Sequence, residues 1–256
     1  MRPDESLGPK FLVYHDVLAA AHGDEGVARA RFEAHVATIA ETGHRFVSMS
    51  AFLSGEKLGP RDVVVTIDDG ARSVRTVAWP ILREHGAIPT LFILTGFMGL
   101  VGRGVEFVTW GDVAELAAEG VEIGCHGVSH VPLDQVEPQR MRNEIVDATA
   151  ALREHGFAPQ AFAYPFGRFD ASVKAAVRDS GFEAAFSVMG GGADRFEIRR
   201  RLLTGLEGPT TTRFVLSDAF FTAREAMRAG VPRRFLKLGQ PGARERWGPE
   251  AFGVGD

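Results

Sequence analysis

The 256-residue sequence predicts an α/β fold, a (β/α) barrel of about seven parallel strands. Three observations carry that expectation. Short β-branched or aromatic runs alternate with amphipathic helical stretches along most of the chain. Gly43, Gly86, Gly120, Gly156 and Gly181 each follow a polar helical end and precede a new strand, the position where a glycine closes a helix. Strand–helix–strand units of this length imply right-handed crossovers and therefore a parallel sheet. An open doubly wound sheet is the alternative, because periodicity does not separate an open sheet from a closed one.

The elements follow in order. Residues 11–14 form the first strand, and Phe32, Val36 and Ile39 mark one face of the helix after it. Residues 63–65 centre the second strand, with a helical pattern over 73–85. A third strand at 90–94 leads through a Gly-rich loop to a helix that Thr109 caps and that ends near Glu119. Residues 121–125 read as a strand and 137–155 as a long helix. A strand at 161–164 and a helix at 172–180 repeat the unit, and 184–188 and 198–203 are late strands. Residues 1–230 are expected to form one catalytic domain. From Val231 the pattern stops, and 231–256 reads as a Gly/Pro-rich tail.

Composition narrows the function classes. The chain is 45% hydrophobic and 24% charged, with 29 Lys+Arg against 33 Asp+Glu, a formal charge of −4. Those values belong to soluble globular proteins and disfavour disorder and fibrous repeats. A mildly acidic chain is not expected to partner nucleic acid. Cys125 is the single cysteine, so no intrachain disulfide can form. No apolar run approaches the roughly 18 to 20 residues of a membrane span. Residues 1–10 contain Asp4, Glu5 and two prolines and lack the apolar core of a signal peptide, so a cytoplasmic location is expected.

Four polar signals fall at or just past predicted strand ends: His15, the pair Asp68 and Asp69 before Gly70, His126 with His130, and Pro165-Phe166-Gly167. In a parallel barrel those ends share one rim, where such enzymes place their active sites. Adjacent carboxylates are costly to desolvate together, and a metal ion on one of them relieves the repulsion. The plainer reading of Asp69 is a helix cap. Gly127, Val128 and Pro132 place the two histidines in a loop rather than on a helix, and Gly127 stands where a zinc protease carries glutamate. Asp69, His126 and His130 would give three protein ligands and leave positions open for water. Side chains alternate in an extended segment, so Cys125 should face away from the site if His126 faces it.

These residues resemble the polysaccharide deacetylase family, the NodB-homology enzymes of carbohydrate esterase family 4. The run Thr66-Ile67-Asp68-Asp69-Gly70 is similar to the family's T-F-D-D-G motif, and His126-Gly127-Val128-Ser129-His130 to its H-[ST]-x-x-H motif, with Gly127 for Ser/Thr. Residues 161–167, AFAYPFG, resemble the third motif of one branch, in which the Tyr14-His15 pair and Trp110 also recur. The resemblance covers residues 11–203. It implies a distorted (β/α) barrel, Asp68 as catalytic base, Asp69, His126 and His130 as metal ligands, and the backbone N–H of Phe166 as an oxyanion donor. Tyr164, Pro165 and Trp110 are assigned to substrate binding. The implied reaction is metal-dependent removal of an N-acetyl group, sometimes an O-acetyl group, from a sugar.

The sequence departs from that pattern in three places. Ala163 stands where many members carry an arginine ahead of the third motif's proline. No tryptophan follows a late acidic residue as in the fourth motif. The late Leu-x-His motif, whose histidine protonates the leaving group, is missing, since no histidine follows His155. His15 is then the candidate acid; the plainer reading is that it orients a ligand or bonds Asp16. The expected function is hydrolysis of an N-acyl amino sugar or glycoside with a divalent metal, zinc first and cobalt or nickel next. Rival readings are a C–N hydrolase on a non-sugar amide, a non-heme iron oxygenase, and a degenerate sugar-binding protein. The sequence does not set the oligomeric state.

Overall fold

A computed structural model describes residues 8–18, 26–102, 104–191 and 194–221. The expected tail, 231–256, lies outside the described residues. Eight strands make the continuous path of the main sheet: β1 (Lys10–Tyr14), β2 (Asp62–Ile67), β3 (Thr90–Ile93), β4 (Glu122–Cys125), β5 (Ala161–Ala163), β6 (Ala184–Ser187), β7 (Ile198–Arg199) and β8 (Arg201–Leu202), and a ninth short strand, Arg45–Phe46, pairs with the start of β2 off that path. Every pairing among them is parallel, in the spatial order β7-β6-β5-β4-β3-β2-β1-β8. The two edges, β7 and β8, are consecutive in sequence and flank Arg200. One segment therefore joins both edges and nearly closes the sheet into a distorted barrel. The expected strand over 198–203 is thus two short pieces with a break at the closure.

Helices alternate with the strands: α1 (Arg29–Glu41), α2 (Trp79–Glu84), α3 (Trp110–Ala118), α4 (Pro138–Glu154), α5 (Ala171–Asp179) and α6 (Pro209–Leu216). Thr109 caps α3 in a reciprocal capping box with Asp112, as the sequence foretold. The helix expected over 73–85 begins instead as a π-helical turn, Val74–Ala78, before α2. The five glycines read as helix stops all have left-handed backbone. Among the described residues, no helix is long and apolar enough to cross a membrane.

Strand alternation sorts the side chains into two sets. Leu12, Tyr14, Val63, Val65, Ile67, Leu91, Ile93, Cys125 and Phe162 pack outward into the core shared with the helices. Phe11, Val64, Phe92, Ala161, Ala163, Ala184 and Phe186 pack inward with Met49 and Leu53 and fill the barrel. Large rings are matched there by small residues, the tightest case being Gly124. An added Cβ at Gly124 would lie 2.4 Å from the Phe92 ring. That ring cannot readily retreat, because Phe186 stands 5.9 Å away, centroid to centroid. One step further along the same inner faces, Thr66, Asp68, His126 and Arg200 follow the apolar plug, so the site is built on a packed floor.

Gly124→Ala should therefore lower unfolding free energy by about 1–3 kcal/mol, the usual cost of overpacking a filled core. Urea denaturation checks this, and a stability equal to that of the parent would mean that Phe92 is not fixed in place.

Candidate active site

At the C-terminal ends of β2 and β4 the chain turns sharply. Among the described residues, three non-glycine residues have left-handed backbone: Asp69 (φ 72°), His130 (φ 52°) and Phe166 (φ 58°). Each such conformation costs on the order of 1–3 kcal/mol, and strain of this kind persists only where the surroundings impose it. All three fall in the segments that carry the sequence motifs.

Asp68 is 3% exposed and its partner Arg200 is 1% exposed. Arg200 Nη1 donates to Asp68 Oδ1 at 2.7 Å and Nη2 to Oδ2 at 2.6 Å, a two-pronged ion pair. Nη1 also donates to Thr66 Oγ1 at 2.9 Å, while the Thr66 hydroxyl donates to the Leu12 carbonyl at 2.8 Å. Beneath, the guanidinium carbon lies 5.4 Å from the centre of the Phe92 ring. Burial alone would raise the Asp68 carboxyl, but Arg200 and then His126 outweigh it and hold the carboxyl below its ordinary range. Sequence reading missed Arg200. Its signal is a charged residue on the inner face of a barrel strand, which is visible only once the closure is known. It also brings to the site an arginine that position 163 does not supply.

Asp69 faces two imidazoles. Its Oδ1 lies 3.4 Å from His126 Nε2 and 3.6 Å from His130 Nε2, and the three ligand atoms fall within 4.8 Å of one another. His126 Nδ1 donates to the Ala163 carbonyl at 2.7 Å, which leaves the Nε2 lone pair aimed at Asp69. Asp69 Oδ1 and His130 Nδ1 are buried without a hydrogen-bond partner. At His126, whose neutral ring carries its proton on Nδ1, acceptor then meets acceptor, an arrangement that a proton on Nε2 or a shared cation resolves. Tetrahedral zinc with ligand bonds near 2.0–2.2 Å sets its ligands about 3.3–3.5 Å apart, close to the two separations measured from Asp69. The residues present therefore fit a metal ion.

The charges agree. Burial pushes the Asp69 carboxyl up, yet His130 and His126 overcome this and hold it well below the carboxylate range. Burial brings His130 down to about 4, so its imidazole is neutral at pH 7. His126 is also opposed by burial, but Asp68 and Asp69 raise it above its ordinary value.

The remaining expected residues are placed as follows. His15 follows β1, within electrostatic reach of Asp68, Asp69 and His130. Its neighbour Asp16 accepts the Ser73 hydroxyl, while Val17 N–H donates to Ser73 Oγ at 3.2 Å, which pins this junction to the segment after Asp69. The Phe166 ring lies 4.4 Å from that of His130. Pro165 is buried beside it. Tyr164 requires a correction: its ring is 1% exposed, and its hydroxyl donates to the Phe196 carbonyl at 2.9 Å. Its phenol belongs to the core and only its backbone reaches the rim. Trp110 stacks on His155, beyond the end of α4, at 3.7 Å. Cys125 is buried on the outer face, where burial pushes its thiol up to about 12.

The polysaccharide deacetylase family model matches residues 55–185, which include both carboxylates, both histidines and residues 161–167. The chain belongs to the polysaccharide deacetylase family. Among curated relatives of this chain, Bacillus subtilis (strain 168) YxkH, named for polysaccharide deacetylase, is 25% identical over 72% of this chain and 66% of its own. A chitooligosaccharide deacetylase of Bradyrhizobium sp. (strain ANU 289) is 27% identical over 51% of this chain and 57% of its own. The chain thus spans less than two thirds of the length of either relative. IcaB from Ammonifex degensii superimposes with a TM-score of 0.73 and 25% identity over 82% of this chain and 98% of that one. The Streptococcus pyogenes deacetylase PplD, solved with acetate, gives a TM-score of 0.71 and 21% identity over the same shares.

Removing one member of a buried ion pair leaves the other charge uncompensated. Arg200→Met should cost about 3–5 kcal/mol of stability at pH 7. In the parent, the depressed Asp68 carboxyl contributes stability above its unfolded pKa near 3.9, and loses it as pH falls through the lower folded value. In the variant, burial raises Asp68, so acid protonates and relieves it. The gap between the two proteins should therefore narrow from pH 7 toward about pH 4. Denaturant unfolding across that range measures it, and a constant gap would contradict the charge argument.

Proposed function

We propose that the protein is a metal-dependent hydrolase that removes an N-acetyl group from an amino sugar or small glycoside. The observation that carries this reading is the pairing of two carboxylates with different surroundings. Asp69 Oδ1 faces the imidazole nitrogens of His126 and His130, whereas its neighbour Asp68 is held ionised by Arg200. A divalent cation held by Asp69, His126 and His130 would polarise the acetyl carbonyl and acidify a water. Zinc suits the one-carboxylate, two-imidazole set best, with cobalt or nickel next.

The chain's own groups supply the rest. Asp68 accepts the proton of the attacking water; Arg200 makes it a weaker base but keeps it ionised at every working pH. The backbone N–H of Phe166 donates to the oxyanion that develops on the carbonyl. An amine leaving group needs a proton, and His15, within electrostatic reach of Asp68, Asp69 and His130 at the β1 end, donates it.

Acetate release from N-acetylhexosamine compounds, followed with and without a chelator, tests the reading: turnover should stop on chelation and return with metal. Turnover that persists without metal would sink it. In the same assay Asp68→Asn should retain its metal while kcat falls about 10²–10⁴-fold, and a near-parental kcat would remove Asp68 as the base.

His15→Gln separates leaving-group protonation from other roles. Hydrolysis of the amide should fall steeply in kcat with little change in KM, while an activated ester, whose leaving group needs no proton, is spared. Equal losses on both substrates would place His15 in binding or in support of the metal ligands.

A further inference from the structure

The segment that carries both histidines is held from two sides. Past β3, Thr95 and Gly96 donate their N–H groups to the carbonyls of Gly127 at 3.1 Å and Val128 at 3.0 Å. From the opposite side α4 inserts the carboxylate of Glu144, which is 7% exposed. Its Oε2 accepts the N–H of Val128 at 3.0 Å and of Ser129 at 2.9 Å, and its Oε1 accepts the Ser129 hydroxyl.

This arrangement has a cost and a reason. A buried carboxylate is expensive unless strongly hydrogen-bonded, and three donors offset that. Helix packing does not call for it: Met141, Ile145, Ala148 and Leu152 from the same helix are buried in apolar core. The segment does call for it, because it turns through left-handed backbone at both ends, freely at Gly127 (φ 89°) and under strain at His130 (φ 52°). The backbone accounts for glycine at 127, where related motifs carry Ser or Thr. A side chain there would have to adopt a backbone conformation that L residues rarely take, although the space is open enough for a Cβ in ordinary contact, 3.5 Å from Glu144 Oε2.

We propose that Glu144 is a positioning residue that clamps the His126–His130 segment in its metal-binding conformation. The inference rests on the metal-dependent reading above. It predicts that the clamp sets metal affinity, because His130 is free to relax from its strained backbone once Val128 and Ser129 lose their acceptor.

Competition for Zn²⁺ against a chromophoric chelator, on the full chain, reads this directly. Glu144→Met keeps the length of the side chain and removes both acceptor oxygens and their three hydrogen bonds, so the Zn²⁺ Kd should rise about 10–100-fold, as for other residues that orient ligands. Glu144→Gln keeps one carbonyl for the two N–H groups and an amide that donates to Ser129 Oγ, and it should stay close to the parent. If Glu144→Met lowers only Tm and binds Zn²⁺ like the parent, the role is structural and the inference fails. Should that variant not fold, Glu144→Asp, which withdraws the carboxylate by one methylene, carries the same test. Weaker Zn²⁺ binding upholds the clamp and parental affinity overturns it. A parent that takes up no Zn²⁺ overturns both this inference and the metal reading, whereas unchanged variants of a Zn²⁺-binding parent overturn this one alone.

Discussion

The buried pair of Arg200 with Asp68 is the interaction on which the site depends. Arg200 sits at the break between β7 and β8, where the barrel nearly closes, so the closure itself delivers the guanidinium to the inner face. Two adjacent buried carboxylates repel each other and resist ionisation together. The fold gives one of them a permanent cation and leaves the other facing imidazoles. With Asp68 and Asp69 both ionised, Arg200 alone does not balance the charge; His130, brought down to about 4, adds nothing at pH 7, while His126 is raised by the same two carboxylates. The remaining demand for positive charge falls at Asp69, where the two histidine nitrogens converge.

Rigidity serves the same end. The inner plug of Phe11, Phe92 and Phe186 against Gly124 and the small residues of β5 and β6 leaves no slack beneath Arg200. Above it, three strained residues are held by their neighbours rather than by their own preferences. Ligand geometry in such a site is set by packing before any ligand arrives, which is how a preorganised centre avoids reordering cost during reaction.

Much of this was legible in the sequence. The alternation of runs and the glycines after each helix gave the barrel, because closing a helix and starting a buried strand need residue types that leave a local mark. Asp68, Asp69, His126 and His130 stood out because polar groups at the ends of apolar strands have no packing reason to be there. Arg200 did not, being one of three consecutive arginines whose faces depend on where the barrel closes. Tyr164 was misassigned because a three-residue strand gives too short an alternation to tell rim from core, and its hydroxyl finds Phe196 from a distant segment. Short pieces such as the Val101–Gly102 and Val105–Glu106 hairpin left no pattern long enough to read.

The central claim is that Asp69, His126 and His130 together hold one divalent cation while Arg200 reserves Asp68 from it. Calorimetric titration of the metal-free protein with Zn²⁺, beside Asp69→Ala, tests it most directly. The account predicts one ion per chain for the parent and loss of that binding in Asp69→Ala. Binding of equal strength and stoichiometry in the two proteins, or none in the parent, would contradict it.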